Sequence, residues 1–508
     1  MHLQQKRQEW LDPFISGTII KGKHLSGKTI YVVPAHNGFH RWLPRQQKAF
    51  ASLLERVALD AKRSFHERAS AMRSLASLPD YCSDQLEVLL HDEEVHVVEA
   101  ALYAYSLWEE PEKALPVLLN NLDGDRARVA MYSIPRCMRR VSPVMLTSML
   151  SELLHREKLK ITVRKEAIRL LGAYKSEDSM ALLIREYEKP NVHKDVMIAI
   201  GHAARQWLDD ERSWAMLSAM AASPQRDIAR SLLNQYSGGI PVEARPRYLQ
   251  LIIEIAGHAD PVVAREAFQA MSLWVDGSEE KVAASASKTI LDLEDKARWK
   301  AAMDTLISAC REGKVNDQVN NVCTQLAGTE TRAGWNASSE RDLPERQRLV
   351  ALIDKLISLP PQAKRGLVPL YTGMIAALQS QETLKPAVIK LHLAYVEWNE
   401  ADQAALQLDP VIQMVDKHPY LSEVAYRQIN RAANASQAYW KPEAILDLVD
   451  HLRGQQRIAA QYLGLSLLKI AGTALLWNQA CTERLRAYRN HEHEAIRMSA
   501  LDIWTVLE

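Results

Sequence analysis

An eight-residue run near the start of the sequence carries its most specific chemical pattern. Residues 22–29 (GKHLSGKT) match the G-x-x-x-x-G-K-[ST] pattern of phosphate-binding loops. That chemistry needs a helix directly after the Lys-Thr pair, because backbone N–H groups at a helix N-terminus bind the phosphates. Residues 30–34 (IYVVP) follow instead, and this run is rich in β-branched side chains and ends in proline. The context therefore favours a hairpin turn over a nucleotide site.

Two groups of histidines are candidates for metal binding. His36 and His40 share one predicted loop, and His491 and His493 flank Glu492. The sequence contains no HExxH motif, and spacing fixes no third ligand near either group. It also lacks the Gly-x-Ser-x-Gly motif of serine nucleophiles. We therefore expect no metal, no cofactor and no catalytic residues, and the sequence favours a protein that is not an enzyme.

Cysteine usage and hydropathy indicate the compartment. The 5 cysteines are an odd number, lie far apart and form no CxxC, which argues against a disulfide framework and fits a reducing compartment. No apolar stretch is long enough to cross a membrane. The basic start (MHLQQKR) leads into no apolar segment of the kind found in secretory signals. The sequence therefore predicts a cytoplasmic protein without a membrane span. The cysteines are Cys82, Cys137, Cys310, Cys323 and Cys481.

Charge is distributed unevenly along the chain. There are 63 Lys and Arg residues against 62 Asp and Glu residues, which gives a formal net charge of +1. Residues 1–75 nevertheless carry about +8 and residues 121–175 about +7, so the remainder is acidic on balance. In the second stretch Arg136, Arg139 and Arg140 fall at i, i+3 and i+4, on one helix face. Further basic residues at the spacing of the repeat described next complete a candidate binding stripe: Arg164, Lys165, Arg169, His202 and Arg205.

A repeated six-residue pattern organises the chain. The pattern consists of an apolar anchor, variable positions, a small residue and a second apolar residue. It recurs about every 33 residues. Residues 163–168 (VRKEAI) and 263–268 (VAREAF) show the pattern most clearly. Each period holds two amphipathic helices, as in 83–90 and 95–108 around a turn at 91–94. Looser copies of the pattern begin at Phe65, Val97, Val129, Val192 and Ile228.

Helix pairs of this length cannot cover their own apolar faces, so they must stack on neighbouring pairs as a solenoid. Residues 160–167 (KITVRKEA) and 260–267 (DPVVAREA) resemble the turn-then-Val-Arg-x-x-Ala core of the HEAT-repeat family. The likeness is strongest to the short bacterial HEAT-like repeats, also called PBS-lyase-like repeats. This resemblance implies an all-α superhelix whose second helices line the concave side. It also implies that an Arg after the Val anchor often braces neighbouring repeats.

The repeat predicts four segments. Residues 1–43 contain two short β-branched runs, at 17–21 and 28–34, and are predicted to form a β-hairpin appendage. Residues 44–312 form a regular HEAT-like array, and the loop-like residues 313–341 form an irregular joint. Residues 342–508 form a second, less regular array. The last helix lacks a polar capping helix, so it either caps itself or the chain is a fragment of a longer protein.

The resemblance and the basic stripe together suggest a function. A HEAT-like solenoid would act as a scaffold that binds a protein partner on its concave face. The alternative is a nucleic-acid-binding or DNA-alkylation-repair protein with a basic groove, because some bacterial HEAT-like proteins resemble DNA glycosylases. A lyase of the phycobilin type ranks last, since no pigment-binding signature is recognisable. The stripe itself has two interpretations that stay open: a binding surface, or cations that brace the helices. The sequence does not indicate an oligomeric state.

Overall fold

The computed structural model describes residues 22–23, 29–30, 42–78, 85–108, 110–123, 127–156, 159–310, 313–328, 343–435 and 441–505. The chain divides into two compact units, Met1–Ser231 (unit 1) and Leu232–Glu508 (unit 2). The boundaries predicted from the sequence at residues 44, 313 and 342 remain predictions. We describe each unit by itself.

Unit 1 is built of paired helices. Short 3₁₀ turns at Asn121–Asp123 and Arg205–Trp207 extend two of them. The described helices are α1 (Pro44–Leu59), α2 (Phe65–Leu75), α3 (Gln85–Leu89), α4 (Val95–Leu107), α5 (Pro111–Asn120), α6 (Ala127–Met138), α7 (Pro143–His155), α8 (Ile161–Ala173), α9 (Glu177–Tyr187), α10 (Lys194–Ala204), α11 (Glu211–Ala221) and α12 (Arg226–Ser231).

Local sequence signals explain where these helices begin. Ser64 caps α2, because its hydroxyl accepts a hydrogen bond from the backbone N–H of Glu67. The Glu67 carboxylate in turn accepts from the backbone N–H of Ser64, which completes a capping box. Ser142 caps α7 in the same way, and Pro143 occupies the first helical position. Proline is favoured there because the helix leaves that N–H unpaired in any case.

The helices of unit 1 stack as the repeat predicts. Each odd-numbered helix packs against the even-numbered helix that follows it. The second helices of successive pairs also pack on one another, α2 with α4, α4 with α6, α8 with α10 and α10 with α12. Their apolar positions are buried, including the anchors Val97 and Val163. The all-α solenoid-type packing predicted from the sequence is therefore confirmed within this unit.

Arginines near the start of second helices link neighbouring pairs. Arg68 on α2 donates to the carbonyl of Ala58 at the end of α1, at 2.9 Å, and pairs with Asp92 in the next repeat. Arg164 on α8 donates to the Leu154 carbonyl at the end of α7 in an equivalent arrangement. Each guanidinium thus satisfies a carbonyl that the preceding helix leaves without an intrahelical partner. These arginines are structural braces.

Unit 2 contains further helix pairs of the same kind. Second helices again pack on one another, in the order α14, α16, α18, α21, α23, α25 and α27. The described helices are α13 (Arg245–Ala256), α14 (Pro261–Met271), α15 (Glu279–Leu291), α16 (Trp299–Ala309), α17 (Asn316–Ala327), α18 (Pro344–Ile357), α19 (Pro361–Arg365), α20 (Val368–Leu378), α21 (Lys385–Ala394), α22 (Ala401–Lys417), α23 (Ser422–Ala435), α24 (Pro442–Arg453), α25 (Ile458–Ala474), α26 (Gln479–Arg489) and α27 (Glu494–Leu501).

The segment predicted as an irregular joint, residues 313–341, contains helix α17. Its buried residues Val319, Val322, Cys323 and Leu326 recur at helical spacing. Gly328 ends the helix with a positive φ of 75°, a conformation that glycine adopts without steric cost. Residues 316–327 of this segment are therefore helical, and residues 329–342 lie outside the described part.

The N-terminal hairpin can be compared with the structure at four residues. Two strands, β1 (Gly22–Lys23) and β2 (Thr29–Ile30), pair antiparallel with Gly22 opposite Ile30 and Lys23 opposite Thr29. The remainder of the predicted 1–43 appendage up to residue 41 lies outside the described residues. Within the described part of the chain, we find no helix with both the length and the apolar character needed to cross a membrane.

Candidate functional site

The residues of the predicted basic stripe lie on or beside three second helices of unit 1. Helix α6 ends next to the first three arginines, α8 carries the next three cations, and α10 carries His202 with Arg205 at its C-terminal end. The structure gives these eight side chains different surroundings. We therefore consider them helix by helix.

Two arginines of α6 are directed back toward the preceding pair. Arg140 donates to the backbone carbonyls of Trp108 at 2.6 Å and Ser106 at 2.8 Å, just beyond and at the end of α4. Arg136 lies over the ring of Tyr103, with its guanidinium carbon 4.7 Å from the ring centroid. Arg140 is therefore a brace between repeats, whereas Arg136 makes a cation–π contact and stays exposed.

All three cations of α8 have carboxylate partners. Arg164 forms an ion pair with Glu186 at 2.7 Å, and the two side chains are 17% and 3% exposed. Lys165 pairs with Asp195 at 3.5 Å and Arg169 with Glu166 at 3.4 Å, both in more exposed surroundings. Arg164 is thus held inside the protein. Exposed pairs such as the other two contribute little stability and remain able to exchange partners.

Among the described residues, Arg205 of α10 has no carboxylate partner, and His202 is uncharged. Arg205, at the C-terminal end of α10, donates to the backbone carbonyl of Ser231 at 3.5 Å. Burial lowers the pKa of His202 to about 4, and the positive charges of Arg205 and Arg169 act in the same direction. His202 is therefore neutral near pH 7.

Arg139 lies beside an opening between two second helices. Among the described residues, α6 and α8 do not make the close backbone contacts that join α4 to α6 or α8 to α10. On the exposed side of α6, Tyr132, Pro135 and Arg139 follow one another at i, i+3 and i+7. Tyr132 is 62% exposed. This face of α6 is therefore exposed.

Tyr174 follows the end of α8. Burial raises the pKa of Tyr174, and the positive charge of Arg139 acts in the opposite direction. Glu166 is also half-buried on α8, and burial raises the pKa of its carboxyl group while Arg169 and Lys165 lower it.

We define the basic surface of unit 1 as five side chains that remain accessible or uncompensated. In the described part of the chain, no carboxylate pairs with the Arg136, Arg139 or Arg205 guanidinium groups. The surface therefore carries a local excess of positive charge despite the near-neutral net charge of the chain. Such an excess favours anionic groups in its vicinity. The members of the surface are Arg136, Arg139, Arg169, His202 and Arg205.

Sequence reasoning missed two residues that shape this surface. Tyr132 and Pro135 lie inside a helix that the repeat pattern predicts, and neither has a side chain associated with catalysis. A proline inside a predicted helix was the available signal. Its ring crowds the carbonyl four residues earlier and removes one backbone hydrogen bond, so it bends a helix away from regular packing.

The other sequence motifs do not form a chemical site in the described residues. Thr29 of the phosphate-loop pattern lies in strand β2, where that motif requires the first turn of a helix. His491 accepts a hydrogen bond from the backbone N–H of His493 at 3.0 Å, in the turn before α27. His36 and His40 lie outside the described residues. Among those described, no three His, Cys, Asp or Glu side chains come together as a metal site.

Comparisons with known proteins give structural matches only. No protein-family model and no curated protein matches the chain. Kap95p, from a structure of its complex with RanGDP, matches with a TM-score of 0.38 and 11% identity, over 99% of this chain and 73% of Kap95p. Importin beta matches with a TM-score of 0.31 and 13% identity, over 90% of this chain and 79% of that one. Kap121p bound to Pho4p gives 0.31 and 10%, over 91% and 61%. These scores carry no argument about function.

Proposed function

We propose that the chain is a non-catalytic scaffold of HEAT-like repeats whose unit 1 binds an acidic segment of a partner protein. The basic surface of unit 1 is the contact region. The observation that carries the proposal is the exposed face of α6, where Tyr132 is 62% exposed and Arg139, just beyond the end of the helix, has no carboxylate partner among the described residues. A carboxylate of the partner would supply the missing counter-charge, and the tyrosine would supply apolar contact area.

The composition of the surface favours a protein over a nucleic acid. Arg169 and Lys165 alternate with Glu166 and Asp195, so carboxylates interrupt the row of cations. A phosphate backbone is a continuous row of negative charge and would meet these carboxylates unfavourably. A protein segment can place acidic side chains at Arg136, Arg139 and Arg205 and neutral ones between them. Nucleic-acid binding is therefore the competing outcome of the test.

The direct test uses two labelled probes in fluorescence anisotropy. One is a glutamate-rich peptide and the other is a single-stranded oligonucleotide of equal length. We expect wild-type protein to bind the peptide at low salt, and the double variant Arg136→Glu/Arg139→Glu to bind it at least tenfold more weakly. Lys48→Glu/Arg56→Glu is the matched control, since it makes the same charge change on the exposed side of α1 and should leave affinity within twofold.

Two results would contradict this proposal. Absence of peptide binding by the wild-type protein at low salt would remove the surface as an anion site. Tighter binding of the oligonucleotide, with a steep dependence on salt, would assign the surface to nucleic acid instead. A pull-down from source-cell extract, with half of the sample treated with nuclease, then identifies the natural partner and shows whether nucleic acid bridges it.

The predicted location belongs to the same proposal. Cys137, Cys310, Cys323 and Cys481 are buried free thiols in the structure, which supports a reducing compartment such as the cytoplasm. Burial raises the pKa of the Cys137 thiol to about 11, so this group stays protonated at physiological pH. Fractionation of source cells tests the assignment.

A further inference from the structure

A buried arginine in unit 2 binds a turn that lies far from it in the sequence. Arg348, on α18, is only 2% exposed. The turn consists of residues 292–298 and connects α15 to α16, and we call it the α15–α16 turn. Charged side chains are almost never buried unless strong partners compensate them. The contacts of Arg348 with this turn therefore determine whether the arginine can stay in place.

Four backbone carbonyls hold the Arg348 side chain. Nη1 donates to the carbonyls of Ile290 and Asp292, both at 2.7 Å. Nη2 donates to the carbonyl of Leu293 at 3.3 Å and to that of Asp295. The first two carbonyls lie at the C-terminal end of α15, where a helix leaves its carbonyls without intrahelical partners. Arg348 thus supplies hydrogen bonds that the end of α15 lacks.

Dipoles compensate the positive charge of Arg348, and no carboxylate of the described residues pairs with it. The Asp295 carboxylate is engaged by the Arg298 side chain and accepts from the backbone N–H groups of Ala297 and Arg298, at 3.0 and 2.8 Å. The guanidinium carbon of Arg348 lies 5.6 Å from the centroid of the Trp299 ring, at the start of α16. Carbonyl oxygens and an aromatic face therefore replace the missing counter-ion.

The α15–α16 turn is also tied to the preceding helix pair. Arg298 donates through Nη1 to the carbonyl of Ala256, at the end of α13, at 3.4 Å. The turn therefore receives Arg348 from the following pair and extends Arg298 to the preceding pair. Three successive helix pairs, α13–α14, α15–α16 and α17–α18, are joined at this one turn.

We infer that Arg348 is a latch that makes α15, α16 and α18 open and close as one unit. A guanidinium that left only part of the turn would stay buried with unmade hydrogen bonds, and the abandoned carbonyls would lose theirs as well. Intermediate positions are therefore unfavourable, so the contact is either complete or absent. The helices on either side of the predicted joint, residues 313–341, then do not move independently while Arg348 is in place. The inference is independent of the function proposed for unit 1.

Hydrogen–deuterium exchange of the full chain, read by mass spectrometry, tests the latch. Local opening exposes the backbone N–H groups of one cooperative unit together. We expect the protection factors of α15, α16 and α18 in the wild type to agree within about tenfold. Arg348→Met keeps most of the side-chain length and removes every donor. In this variant α18 should exchange at least tenfold faster than in the wild type, and the protection factors of α18 and α16 should no longer agree.

Two further variants separate the guanidinium from the charge and from the substitution itself. Arg348→Lys keeps a positive charge, but its ammonium has three donors and cannot reproduce a planar fork that reaches four carbonyls. We therefore expect α18 of Arg348→Lys to exchange nearly as fast as that of Arg348→Met. Arg265→Met is the matched control, because Arg265 is exposed on α14, and it should exchange as the wild type does.

Two outcomes would overturn the inference. In the first, the protection factors of α15, α16 and α18 in the wild type differ by more than tenfold, so these helices do not open together. In the second, α18 exchanges less than tenfold faster in Arg348→Met than in Arg265→Met. Circular dichroism verifies folding. If Arg348→Met does not fold, Arg348→Lys is compared with Arg265→Lys by the same tenfold criterion.

Discussion

Two successive steps within unit 1 use the same kind of helix pair but pack differently. Between α8 and α10, Gly172 lets the backbones approach so closely that an added Cβ would lie 2.8 Å from the Cα of Ala203. Between α6 and α8 no such approach exists among the described residues, and Pro135 interrupts the hydrogen bonding of α6. On the closed step, the α8 cations Arg164, Lys165 and Arg169 each have a carboxylate partner. On the open step Tyr132 is exposed, and Arg139 has no carboxylate partner among the described residues.

The largest expected effect concerns the ion pair between Arg164 and Glu186 at the closed step. Glu186→Ala removes the carboxylate that Arg164 and Lys189 share and leaves Arg164 charged in a mostly buried position. We expect the free energy of unfolding to fall by about 3 kcal/mol, at the lower end of the range for a broken buried pair because Arg164 keeps some exposure. Urea denaturation measures the loss.

Glu188→Ala is the control for that measurement. Glu188 lies two residues further along the chain and is exposed, so its removal should change the free energy of unfolding by less than about 0.5 kcal/mol. A loss below about 1 kcal/mol for Glu186→Ala would show that the pair between Arg164 and Glu186 does not hold this step together.

The close approach at Gly172 gives the next largest effect. Gly172→Val places side-chain atoms where Ala203 already lies, so α8 and α10 must move apart. We expect a loss of about 2 kcal/mol in urea denaturation, the usual cost of overpacking a core. Gly454→Ala is the control, because the nearest atom to its added Cβ is 3.5 Å away. Equal stability of the Gly172→Val variant and the wild type would remove the glycine as the cause of the closed step.

The sequence predicted the paired helices well because their signals are local. The Val163–Arg164 pattern placed a second helix correctly, and the bracing role that the family resemblance implies for such an arginine matches the contacts of Arg164. Asp260 and Pro261 likewise predicted the start of α14, where the Asp260 side chain accepts from the backbone N–H of Val262 at 2.8 Å. Caps and periodicity act within a few residues, so one sequence is enough to find them.

The features that depend on distant residues could not be predicted in this way. Gly172 looks like an ordinary helix residue until its neighbour Ala203, one repeat later, is known. Arg139 is exposed, whereas Arg140 braces the preceding helix pair. This difference depends on the direction in which each side chain leaves the end of α6. The latch of unit 2 joins Arg348 to carbonyls 53 to 58 residues earlier in the chain, which no motif connects. Tertiary packing determines all three.

The stability of the closed step between α8 and α10 should depend on pH. The folded pKa of His202 is about 4, below the value of about 6.5 expected in the unfolded chain. The stability that the neutral imidazole contributes is therefore fully present above pH 6.5 and is lost as the pH falls toward 4. Because His202 keeps some exposure, we expect wild type to lose only about 1 kcal/mol more than His202→Gln between pH 7 and pH 5.

Urea denaturation of both proteins at the two pH values measures this difference. His451→Gln, which replaces an exposed histidine of α24, is the control for the general effect of removing an imidazole. If wild type and His202→Gln lose the same stability on acidification, burial does not lower the pKa of His202 in the folded protein as the structure indicates.

The smallest expected effect on stability tests the cause of the open step. Pro135→Ala restores a backbone N–H inside α6 that can donate to the carbonyl of Met131, so the helix can straighten toward α8. We expect the free energy of unfolding to change by less than about 1 kcal/mol, because the gained hydrogen bond is offset by rearranged packing. The affinity for the glutamate-rich peptide should nevertheless fall by two- to fivefold as Tyr132 and Arg139 become less accessible.

Pro224→Ala, outside the regular helices of unit 1, is the control. Unchanged peptide affinity in Pro135→Ala would mean that the opening is set by the loops between α6 and α8, because a proline that bends the helix must affect the surface it exposes.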